Sequence, residues 1–463
     1  MAGFSGRYVP LSGDARIDGL TFGARYAGRD FIYGFSTAAS NYGSDYSLPG
    51  GGRPGELATF SPVTAAARAA VRFGLEGATP GGPGFGVEGF TRAEFTQVTP
   101  GGDVFNAHYR FGQTAMPKYG EIGYANPGGT IPDDRAGDVW FKGGWFKDAR
   151  PGTLAHYVAL HEIGHAIGLK HPRDIFTMPN GDRHGALPAK WDSMEYTVMS
   201  YNSYAGERAA SLGGNGTFDY AQTWMMLDIR ALQHAYGADF TTNAGRTTYS
   251  WRPGQGDTWV NGKRAIDSPG DTIFATIWDG GGFDTYDLSA FTTDLRIDLR
   301  PGASSIFAAS QLANLGEGRT AADNIYNALQ VNGDSRSLIE AAKGGTGDDR
   351  FIGNAANNHF HGGRGRDQFD GGRGNDTYTG GPGADHFIFR GKGDGRDTIT
   401  DFNPGLAGEK IILRGSATLT DFDLVVRNLV QVGENVELRD LDGDVLVLRG
   451  LTIDQLAADD FLF

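Results

Sequence analysis

The chain has 463 residues, of which 73 are glycine and none is cysteine, and 55 acidic against 41 basic side chains give a net charge of −14. The absence of cysteine excludes disulfides, thiolate metal sites and cysteine nucleophiles, so any metal must be held by histidine and oxygen ligands. The acidic balance argues against nucleic acid or an anionic membrane surface as a partner and favours divalent cations.

The first 60 residues are rich in glycine, serine and tyrosine and lack clear periodicity. We interpret residues 1–60 as an N-terminal segment that comprises a candidate pro-segment and the irregular start of the first domain. They show no basic patch followed by an apolar stretch and therefore do not predict a secretory signal peptide. No run in the chain approaches the roughly 18 consecutive apolar residues of a membrane-spanning helix.

Helix and strand patterns begin at residue 61. Ser61 and Pro62 predict the N-cap and first turn of an amphipathic helix through VTAAARAAVRFGL. Alternation of apolar and polar residues predicts strands around FTQV, FNAHYRFG and GDVWFKGGWF. The chain up to about residue 150 is therefore predicted to be mixed α and β.

The segment HEIGHAIGLKH, residues 161–171, carries the most specific pattern of the first half. On a predicted helix His161 and His165 are four residues apart, so both imidazoles project from one face toward a single ion. Gly168 would let the chain leave the helix abruptly, so that His171 returns as a third ligand. Three neutral imidazoles would leave one coordination position open, which is typical of catalytic zinc.

Glu162 lies between the first two histidines on the chain and projects beside the expected ion. Zinc lowers the pKa of a bound water to about 7, and the carboxylate of an HExxH motif is placed to take a proton from that water. The pattern therefore predicts attack on a peptide carbonyl. The alternatives are a closed structural zinc site and a set of buried core histidines.

A second helix is predicted at AQTWMMLDIRALQHAYG, residues 221–237. The amino-acid composition changes after it. The Thr- and Gly-rich residues 241–256 are the best candidate for a domain boundary. Residues 251–463 carry 32 acidic and 20 basic side chains, so most of the negative charge lies beyond that boundary.

A nonapeptide repeat runs from residue 344 to residue 388 as GGTGDDRFI, GNAANNHFH, GGRGRDQFD, GGRGNDTYT and GGPGADHFI. Its template, GGxGxD followed by x, an apolar residue and x, is that of the calcium-binding repeats of RTX proteins. The residues at the apolar position are expected to form the interior: Phe351, Phe360, Phe369, Tyr378 and Phe387. A flexible linker, the alternative, would need neither an aspartate nor an aromatic residue at a fixed offset.

Each GGxGxD turn offers glycine carbonyls and one carboxylate, which suit Ca²⁺ with about six oxygen ligands. Because nine residues make half a coil, alternate turns stack on one side, and the stack that begins at residue 344 is intact. The opposite stack contains the degenerate second unit and should have one weak or missing site. The expected calcium ligands are Gly344, Gly345, Gly347, Asp349, Gly362, Gly363, Gly365, Asp367, Gly371, Gly372, Gly374, Asp376, Gly380, Gly381, Gly383 and Asp385.

These motifs together resemble a known family. HExxHxxGxxH followed by Met199 in TVMSYNSY is similar to the metzincin metallopeptidases, which have a Met-turn under the zinc site. VMSY, MMLDIRALQHAYG and the RTX repeats resemble the serralysins, the RTX-bearing alkaline proteases of Gram-negative bacteria. The resemblance spans roughly residues 60–463.

The resemblance implies roles for further residues. It makes Met199 the Met-turn residue and Tyr201 a zinc ligand at rest that swings to stabilise the oxyanion, whereas each would otherwise be interpreted as a core residue. It also implies a calcium loop in WDGGGFDTYD and a closing calcium segment in GRDTITDF, for both of which surface acids are the alternative. The ligands it implies there are Asp279, Gly281, Asp284, Asp397 and Asp401.

Two segments bear on substrate binding and export. GDVWFKG, residues 137–143, stands where metzincins keep an edge strand that pairs with an extended substrate, which would give broad specificity. An internal strand without substrate contact is the alternative. The C-terminal LAADDFLF resembles the uncleaved signal of type I secretion substrates, and a terminal edge strand is an alternative that is compatible with it.

We therefore predict an α+β metzincin zinc-protease domain followed by an all-β calcium-binding domain, a parallel β-roll with sandwich-like antiparallel structure. The expected divisions are the N-terminal segment, a catalytic domain over residues 61–245, and an RTX domain with the secretion signal over residues 246–463.

The predicted function is a secreted, extracellular and monomeric zinc endopeptidase of broad specificity, stabilised by several Ca²⁺ ions. Its expected partners are protein substrates, the type I secretion apparatus and a small proteinaceous inhibitor. The alternative of another class is a non-catalytic calcium-binding RTX surface or adhesion protein with a vestigial metal site.

Overall fold

A computed structural model of the chain describes residues 6–42, 46, 54–77, 84–115, 121–129, 134–207, 214–391, 393–414 and 418–463. Within them the first half is mixed α and β, and the second half consists mostly of β strands. None of the described helices has the length and apolar character that a membrane span requires. The helices are α1 (Ala15–Asp18), α2 (Pro54–Ala58), α3 (Ala65–Glu76), α4 (Val87–Phe90), α5 (Leu154–Ala166), α6 (Met226–Tyr236) and α7 (Phe422–Asn428).

One mixed sheet organises the first half. Four of its strands are parallel in the order β5, β3, β6, β8, with β7 antiparallel to β8 at one edge and β4 antiparallel to β6. The strands of this half are β1 (Gly6–Tyr8), β2 (Ala24–Tyr26), β3 (Asp30–Phe35), β4 (Phe60–Ser61), β5 (Glu94–Gln97), β6 (Tyr109–Thr114), β7 (Gly123–Ala125), β8 (Asp138–Lys142), β9 (Phe176–Thr177) and β10 (Arg183–His184).

The expectation that residues 137–143 form the substrate-facing edge strand is wrong. β8 lies between β6 and β7, and four of its five residues are buried. The edge is β7, whose Gly123 stands opposite Phe141 of β8. A strand of three residues is too short to show alternation of apolar and polar positions, which is why the sequence did not reveal it.

Two predicted helices start later than their sequence pattern indicates. The N-cap of α3 is Thr64, whose Oγ1 accepts from the amide of Ala67 at 3.2 Å, because Ser61 is already paired with Gln113 in β4. Helix α6 begins at Met226 rather than residue 221 because the preceding residues bind the second half of the chain, as in the 2.9 Å bond from Gln222 N to Phe274 O.

The described part of the N-terminal segment is folded against the first domain. β1 and β2 form an antiparallel pair, and between them Thr21 makes an antiparallel bridge with Leu169. The amide of Phe22 donates to Gly168 O at 2.9 Å, and that of Lys170 donates to Leu20 O at 2.8 Å. This segment therefore packs directly on the turn that follows α5.

Two long sheets make up most of the second half. One has the order β13-β12-β11-β15-β21-β23-β25-β27-β31-β30-β29, and the other the order β16-β22-β24-β26-β28-β32. The strands are β11 (Thr248–Arg252), β12 (Gln255–Val260), β13 (Lys263–Ile266), β14 (Ala275–Ile277), β15 (Thr285–Asp287), β16 (Arg296–Asp298), β17 (Ser304–Ser305), β18 (Asn314–Gly316), β19 (Arg319–Thr320), β20 (Ile325–Asn327), β21 (Ala341–Lys343), β22 (Arg350–Ile352), β23 (His359–His361), β24 (Gln368–Asp370), β25 (Thr377–Thr379), β26 (His386–Phe389), β27 (Arg396–Ile399), β28 (Lys410–Leu413), β29 (Leu429–Val432), β30 (Asn435–Arg439), β31 (Val445–Leu448) and β32 (Phe461–Leu462).

The repeat units alternate between these two sheets. Each pairs in parallel with the unit two ahead, so that Phe351 stands beside Phe369 and Phe360 beside Tyr378. The aromatic residues predicted for the interior are all buried, and the rings of Phe369 and Phe387 stack at 5.2 Å. The hydrophobic core of the second half therefore lies between the two sheets.

Candidate active site

Three histidines converge where α5 ends. His161 and His165 lie one turn apart on this helix, and His171 returns from the turn that follows it. Their Nε2 atoms are 2.9 to 3.2 Å from one another. Among the described residues this is the group of His, Asp or Glu side chains whose ligand atoms lie close enough to share a metal ion.

The hydrogen bond made by the second ring nitrogen of each histidine, Nδ1, fixes the tautomer of the ring. The three acceptors are oxygens that cannot donate: His161 Nδ1 faces Val198 O at 2.8 Å, His165 Nδ1 faces Leu169 O at 3.0 Å, and His171 Nδ1 faces Asp174 Oδ2 at 3.1 Å. Each Nδ1 therefore carries the proton, and each Nε2 presents a lone pair. Burial lowers the pKa of His161 to about 3 and lowers that of His165 as well. Three neutral imidazoles with facing lone pairs fit a cation such as Zn²⁺.

The path to the third histidine depends on a glycine. Gly168 has φ +111°, a conformation that residues with a Cβ rarely adopt, and it directly follows the helix cap at Ile167. The amide of Leu169 then bonds back to Gly164 O at 2.8 Å, which closes the turn. The abrupt exit from the helix predicted at this glycine is confirmed.

The carboxylate of Glu162 points into the cleft beside the histidines. Its side chain is buried, and Oε2 has no hydrogen-bond partner. Burial, together with the nearby Glu121, raises the pKa of Glu162 well above its usual value. A Cβ at position 123 would lie 2.9 Å from Glu162 Cγ, so Gly123 of β7 lets the edge strand approach the carboxylate. A nearby cation would favour the charged form of this group.

Met199 packs against α5, the helix that carries His161 and His165. It is fully buried, and a Cβ at Gly164 of α5 would lie 2.5 Å from its sulfur. The turn that contains it is held by Asp228 of α6, which accepts from Thr197 Oγ1 at 2.5 Å and from the amide of Val198 at 2.8 Å. Asp228 was not singled out from the sequence, because an acid inside an amphipathic helix normally indicates a solvated face.

Tyr201 lies at the mouth of the cleft and is 45% exposed. Its ring centroid is 4.6 Å from that of His171 and 5.3 Å from that of His161. This exposure differs from the buried core position that is usual for a tyrosine without a site role. The phenol therefore stands where a bound molecule could reach it.

The cleft is bordered on one side by β7 and the residues that flank it. Its lining combines the edge strand, two of the histidines, three carboxylates and one aromatic ring from the N-terminal segment. The lining residues are Phe22, Glu121, Gly123, Tyr124, Ala125, Asn126, Pro127, Glu162, His165, His171, Asp174 and Tyr201.

A buried lysine organises the loop of the third histidine. Lys170 is fully buried, and its Nζ donates to the carbonyl oxygens of Gly19 at 2.6 Å, Asp174 at 2.8 Å and Gly185 at 2.8 Å. These three oxygens come from the N-terminal segment, the histidine loop and the β10 region. No pattern in the sequence indicated this role, because lysine is usually a surface residue.

The expected calcium ligands form two rows of buried carboxylates. In the first row the amide of Asp349 donates to Asp367 Oδ1, and that of Asp367 to Asp385 Oδ1, each at 2.8 Å. In the second row the amide of Asp376 donates to Asp397 Oδ1 at 2.9 Å. Burial raises the pKa of Asp367 and of Asp397 to about 8.

The predicted turn glycines stack closely on one another. A Cβ at Gly344 would lie 2.3 Å from Gly362 O, and a Cβ at Gly381 would lie 2.2 Å from Gly363 O. Asp367 Oδ2 is buried without a hydrogen-bond partner. Crowded carboxylates, stacked carbonyls and an unpartnered oxygen together fit Ca²⁺.

Asp401 differs from the other expected ligands because it is exposed. Its carboxylate accepts from the amides of Gly380 at 3.0 Å and Gly381 at 2.9 Å. It therefore extends the first row of carboxylates, whereas Asp397 belongs to the second.

The degenerate repeat unit is filled by side-chain amides. Asn358 occupies the aspartate position, and its Oδ1 accepts from the amide of Asn354 at 2.8 Å. Asn354 Nδ2 donates to Leu299 O at 3.1 Å and to Ile339 O at 2.8 Å. Protein hydrogen bonds thus occupy carbonyl oxygens at this turn.

The loop WDGGGFDTYD brings its expected ligands together. Gly281 donates its amide to Asp279 Oδ1 at 2.8 Å, and Asp284 Oδ2 is buried without a hydrogen-bond partner. Burial, and then repulsion from Asp284, raises the pKa of Asp279 to about 8. Glu340, which the sequence did not indicate because it precedes the repeats, accepts from the amide of Asp284 at 2.8 Å.

The chain is similar to known proteins in both halves. Residues 238–440 match the family model "Peptidase M10 serralysin C terminal". The chain is 35% identical over 328 residues to metallopeptidase AprA of Pseudomonas marginalis, covering 69% of this chain and 63% of that protein. It is 31% identical over 273 residues to metalloprotease AprA of Pseudomonas entomophila, covering 58% and 50%, and 34% identical over 229 residues to serralysin of Proteus mirabilis, covering 49% and 41%.

The relatives and the site point to one kind of protein. The three histidines lie on and just after an HExxH helix, and the relatives are named metalloprotease, metallopeptidase or serralysin. The matched family model and these relatives support a serralysin-type metalloprotease. The chain spans about half the length of the curated relatives it matches.

Proposed function

We propose that the chain is a secreted zinc endopeptidase that hydrolyses protein substrates with broad specificity and is stabilised by calcium. The observation that carries this proposal is the position of Glu162, which has an unpartnered Oε2 and lines the same cleft as His165 and His171, two of the three histidines with facing Nε2 atoms. A carboxylate kept beside a metal-type triad favours catalysis over a vestigial site in a surface or adhesion protein.

Different side chains would bind the metal ion, transfer the proton and stabilise the oxyanion. His161, His165 and His171 would hold Zn²⁺, which acts at such sites as a Lewis acid toward water and a peptide carbonyl. Glu162 would accept a proton from the attacking water and pass it to the leaving amide nitrogen. Tyr201, whose ring stands beside two of the histidines, would serve as a resting ligand and then donate its hydroxyl proton to the carbonyl oxygen as charge develops there.

The edge strand β7 is the element that would bind the substrate backbone. Gly123, Tyr124 and Ala125 line the cleft, and β7 pairs on its other side with β8. Main-chain pairing with an extended peptide gives affinity that depends weakly on side chains, which supports broad specificity.

Calcium would neutralise the buried carboxylates of the second half. The two rows of aspartates, the turn glycines and the loop with Asp279, Gly281 and Asp284 supply carboxylate and carbonyl oxygens, the ligands that Ca²⁺ takes. Asp401 would close the first row. Because these buried carboxylates would repel one another without a cation, the free energy of calcium binding would contribute directly to the free energy of folding.

The domain divisions, localisation and partners belong to the same proposal. A catalytic domain over residues 61–245 and a calcium-dependent domain over residues 246–463 would act outside the cell, where calcium is plentiful. The two-residue strand β32 shows that the C-terminal segment forms a sheet edge, which is compatible with its reading as a type I secretion signal. A monomeric enzyme, the secretion apparatus and a small proteinaceous inhibitor complete the proposed setting.

Replacing Glu162 by glutamine tests the catalytic proposal. We expect casein hydrolysis to fall about 10²- to 10⁴-fold, because the proton acceptor is lost while the size of the side chain is kept. Zinc content, measured by atomic absorption, should stay near one ion per chain, which separates loss of chemistry from loss of the metal. Hydrolysis at the wild-type rate in this variant would refute the assignment of Glu162.

A further inference from the structure

We propose that Phe22 and Phe176 form an apolar subsite that receives an aromatic or long aliphatic side chain of the substrate. The inference rests on the proposed function, since it concerns the peptide that would lie in the same cleft. The chain should prefer this class of side chain at one position of the substrate peptide.

The two phenylalanines form one apolar surface at the edge of the cleft. Their ring centroids are 4.8 Å apart, and the ring of Phe22 lies 6.2 Å from that of His165. Phe22 lines the cleft directly, and Phe176 is 37% exposed. Both rings are therefore accessible beside one of the expected zinc ligands.

The contacts of the N-terminal segment locate Phe22 along the cleft. The N-terminal segment contacts the residues that follow β7, where a Cβ at Gly128 would lie 2.6 Å from the Tyr26 ring. Phe22 and Pro127 thus lie toward one end of the edge strand, whereas Glu121 precedes it. A peptide extended along β7 and across the histidines would continue over the Phe22 ring.

The subsite is held rigidly, which a specific pocket requires. The amide of Phe22 donates to Gly168 O, and Thr21 Oγ1 lies 2.9 Å from Nδ1 of the buried His184. In the β9–β10 pair His184 stands opposite Phe176. These hydrogen bonds and the β9–β10 pairing therefore hold both phenylalanines in place beside each other and beside the turn of the third histidine.

The polar part of the cleft bears on where an apolar side chain would be recognised. Glu121, Asn126, Glu162 and Asp174 make the lining away from Phe22 partly polar and acidic. A peptide side chain that covers Phe22 and Phe176 would remove apolar surface from water on both partners, which is favourable in proportion to the area buried. Elsewhere in the cleft an apolar group would displace water from carboxylates.

Cleavage profiling with a randomised peptide library tests the inference, using the wild type and the Phe22→Ala and Phe176→Ala variants. We expect the wild type to prefer aromatic or long aliphatic residues at one position. Each variant should lower kcat/KM for the apolar peptides about tenfold more than kcat/KM for serine-containing peptides. Tyr8→Ala is the matched control, because Tyr8 is an exposed aromatic residue of the same segment outside the cleft lining.

A binding measurement separates this inference from the proposed function. Fluorescein-labelled decapeptides with Phe or Ser at the selected position, or at each position in turn, are titrated into the Glu162→Gln protein with and without Phe22→Ala. Tighter binding of the Phe peptide that is lost with Phe22→Ala supports the subsite even when the wild type cleaves nothing, an outcome that would sink only the peptidase proposal. Equal binding of both peptides, or unchanged profiles in the Phe22→Ala and Phe176→Ala variants, overturns the subsite.

Discussion

At the scale of single residues, Lys170 shows how the chain joins distant parts of the site. Its ammonium group donates to three carbonyl oxygens that belong to the N-terminal segment, the histidine loop and the β10 region. Burial lowers its pKa to about 8. A buried charge with three acceptors acts as a small fixed cation, and it sits next to His171 on the chain. The residue thereby ties the N-terminal segment, at Gly19, to the loop of the third histidine.

Replacing Lys170 by methionine should destabilise the protein by about 1–3 kcal/mol, because three buried carbonyl oxygens lose their donor. The measurement is urea unfolding followed by tryptophan fluorescence, with the exposed Lys263→Met as the control. We also expect weaker zinc retention, since the neighbouring loop carries a ligand. Equal stability of the two variants would show that a methionine packs as well as the buried charge.

At the scale of elements, the repeat units use two different means to hold their turns. In most units an aspartate stands at the sixth position and, under the calcium proposal, would need a cation, whereas Asn358 and Asn354 satisfy the degenerate unit with their own amides. The hydrogen bond from Asn354 to Ile339 O would account for a weak or missing calcium site at this unit. One turn of the stack would then be held without a metal ion.

This contrast gives a paired prediction. Asp367→Asn should reduce the rise in melting temperature on adding Ca²⁺, because one carboxylate of the first row is lost. Asn358→Ala should lower the free energy of unfolding by about 1–3 kcal/mol, because hydrogen bonds of the Asn358 side chain are lost. The melting temperature should fall equally with and without Ca²⁺, because these bonds need no ion. Calorimetry with the exposed Asp454→Asn as control checks both. A calcium response that changes as much in Asn358→Ala as in Asp367→Asn would contradict the assignment.

Sequence patterns predicted the elements that have long periodic signals. The helix under the HExxH motif, the repeat strands and the buried ring at each eighth repeat position all follow from fixed spacing. The edge strand β7, Lys170 and Glu340 did not follow, because their roles depend on contacts between residues far apart in the chain. Phe22 is the clearest case, since its place in the cleft depends on a bond to Gly168.

At the scale of the whole molecule, the two halves are joined beside the site. Glu195 Oε1 accepts from the amide of Ala322 at 2.8 Å and from Tyr326 OH at 3.0 Å. Gln222 Nε2 donates to Thr272 O at 2.9 Å. These contacts flank the segment that carries Met199 and Tyr201, so disorder in the second half would loosen the tyrosine.

Removal of calcium should therefore affect catalysis without removing zinc. We expect EGTA, with zinc resupplied, to reduce both the β signal in circular dichroism and casein hydrolysis, and added Ca²⁺ to restore both together. Zinc content measured in the same samples serves as the control. Full activity in a sample that has lost its β signal would show that the catalytic half works alone.

The two long sheets end in a way that bears on solubility. The long sheet that contains β21, β23, β25 and β27 is closed at one end by the antiparallel strands β11, β12 and β13 and at the other by β29, β30 and β31. The second sheet ends in β32, which has two residues, and the outermost strand β13 begins with exposed Lys263 and Arg264. Unpaired strands of repetitive β structure invite edge-to-edge association, and short or charged edges prevent it. A concentrated preparation of this protein should therefore resist fibril formation despite its long parallel ladders.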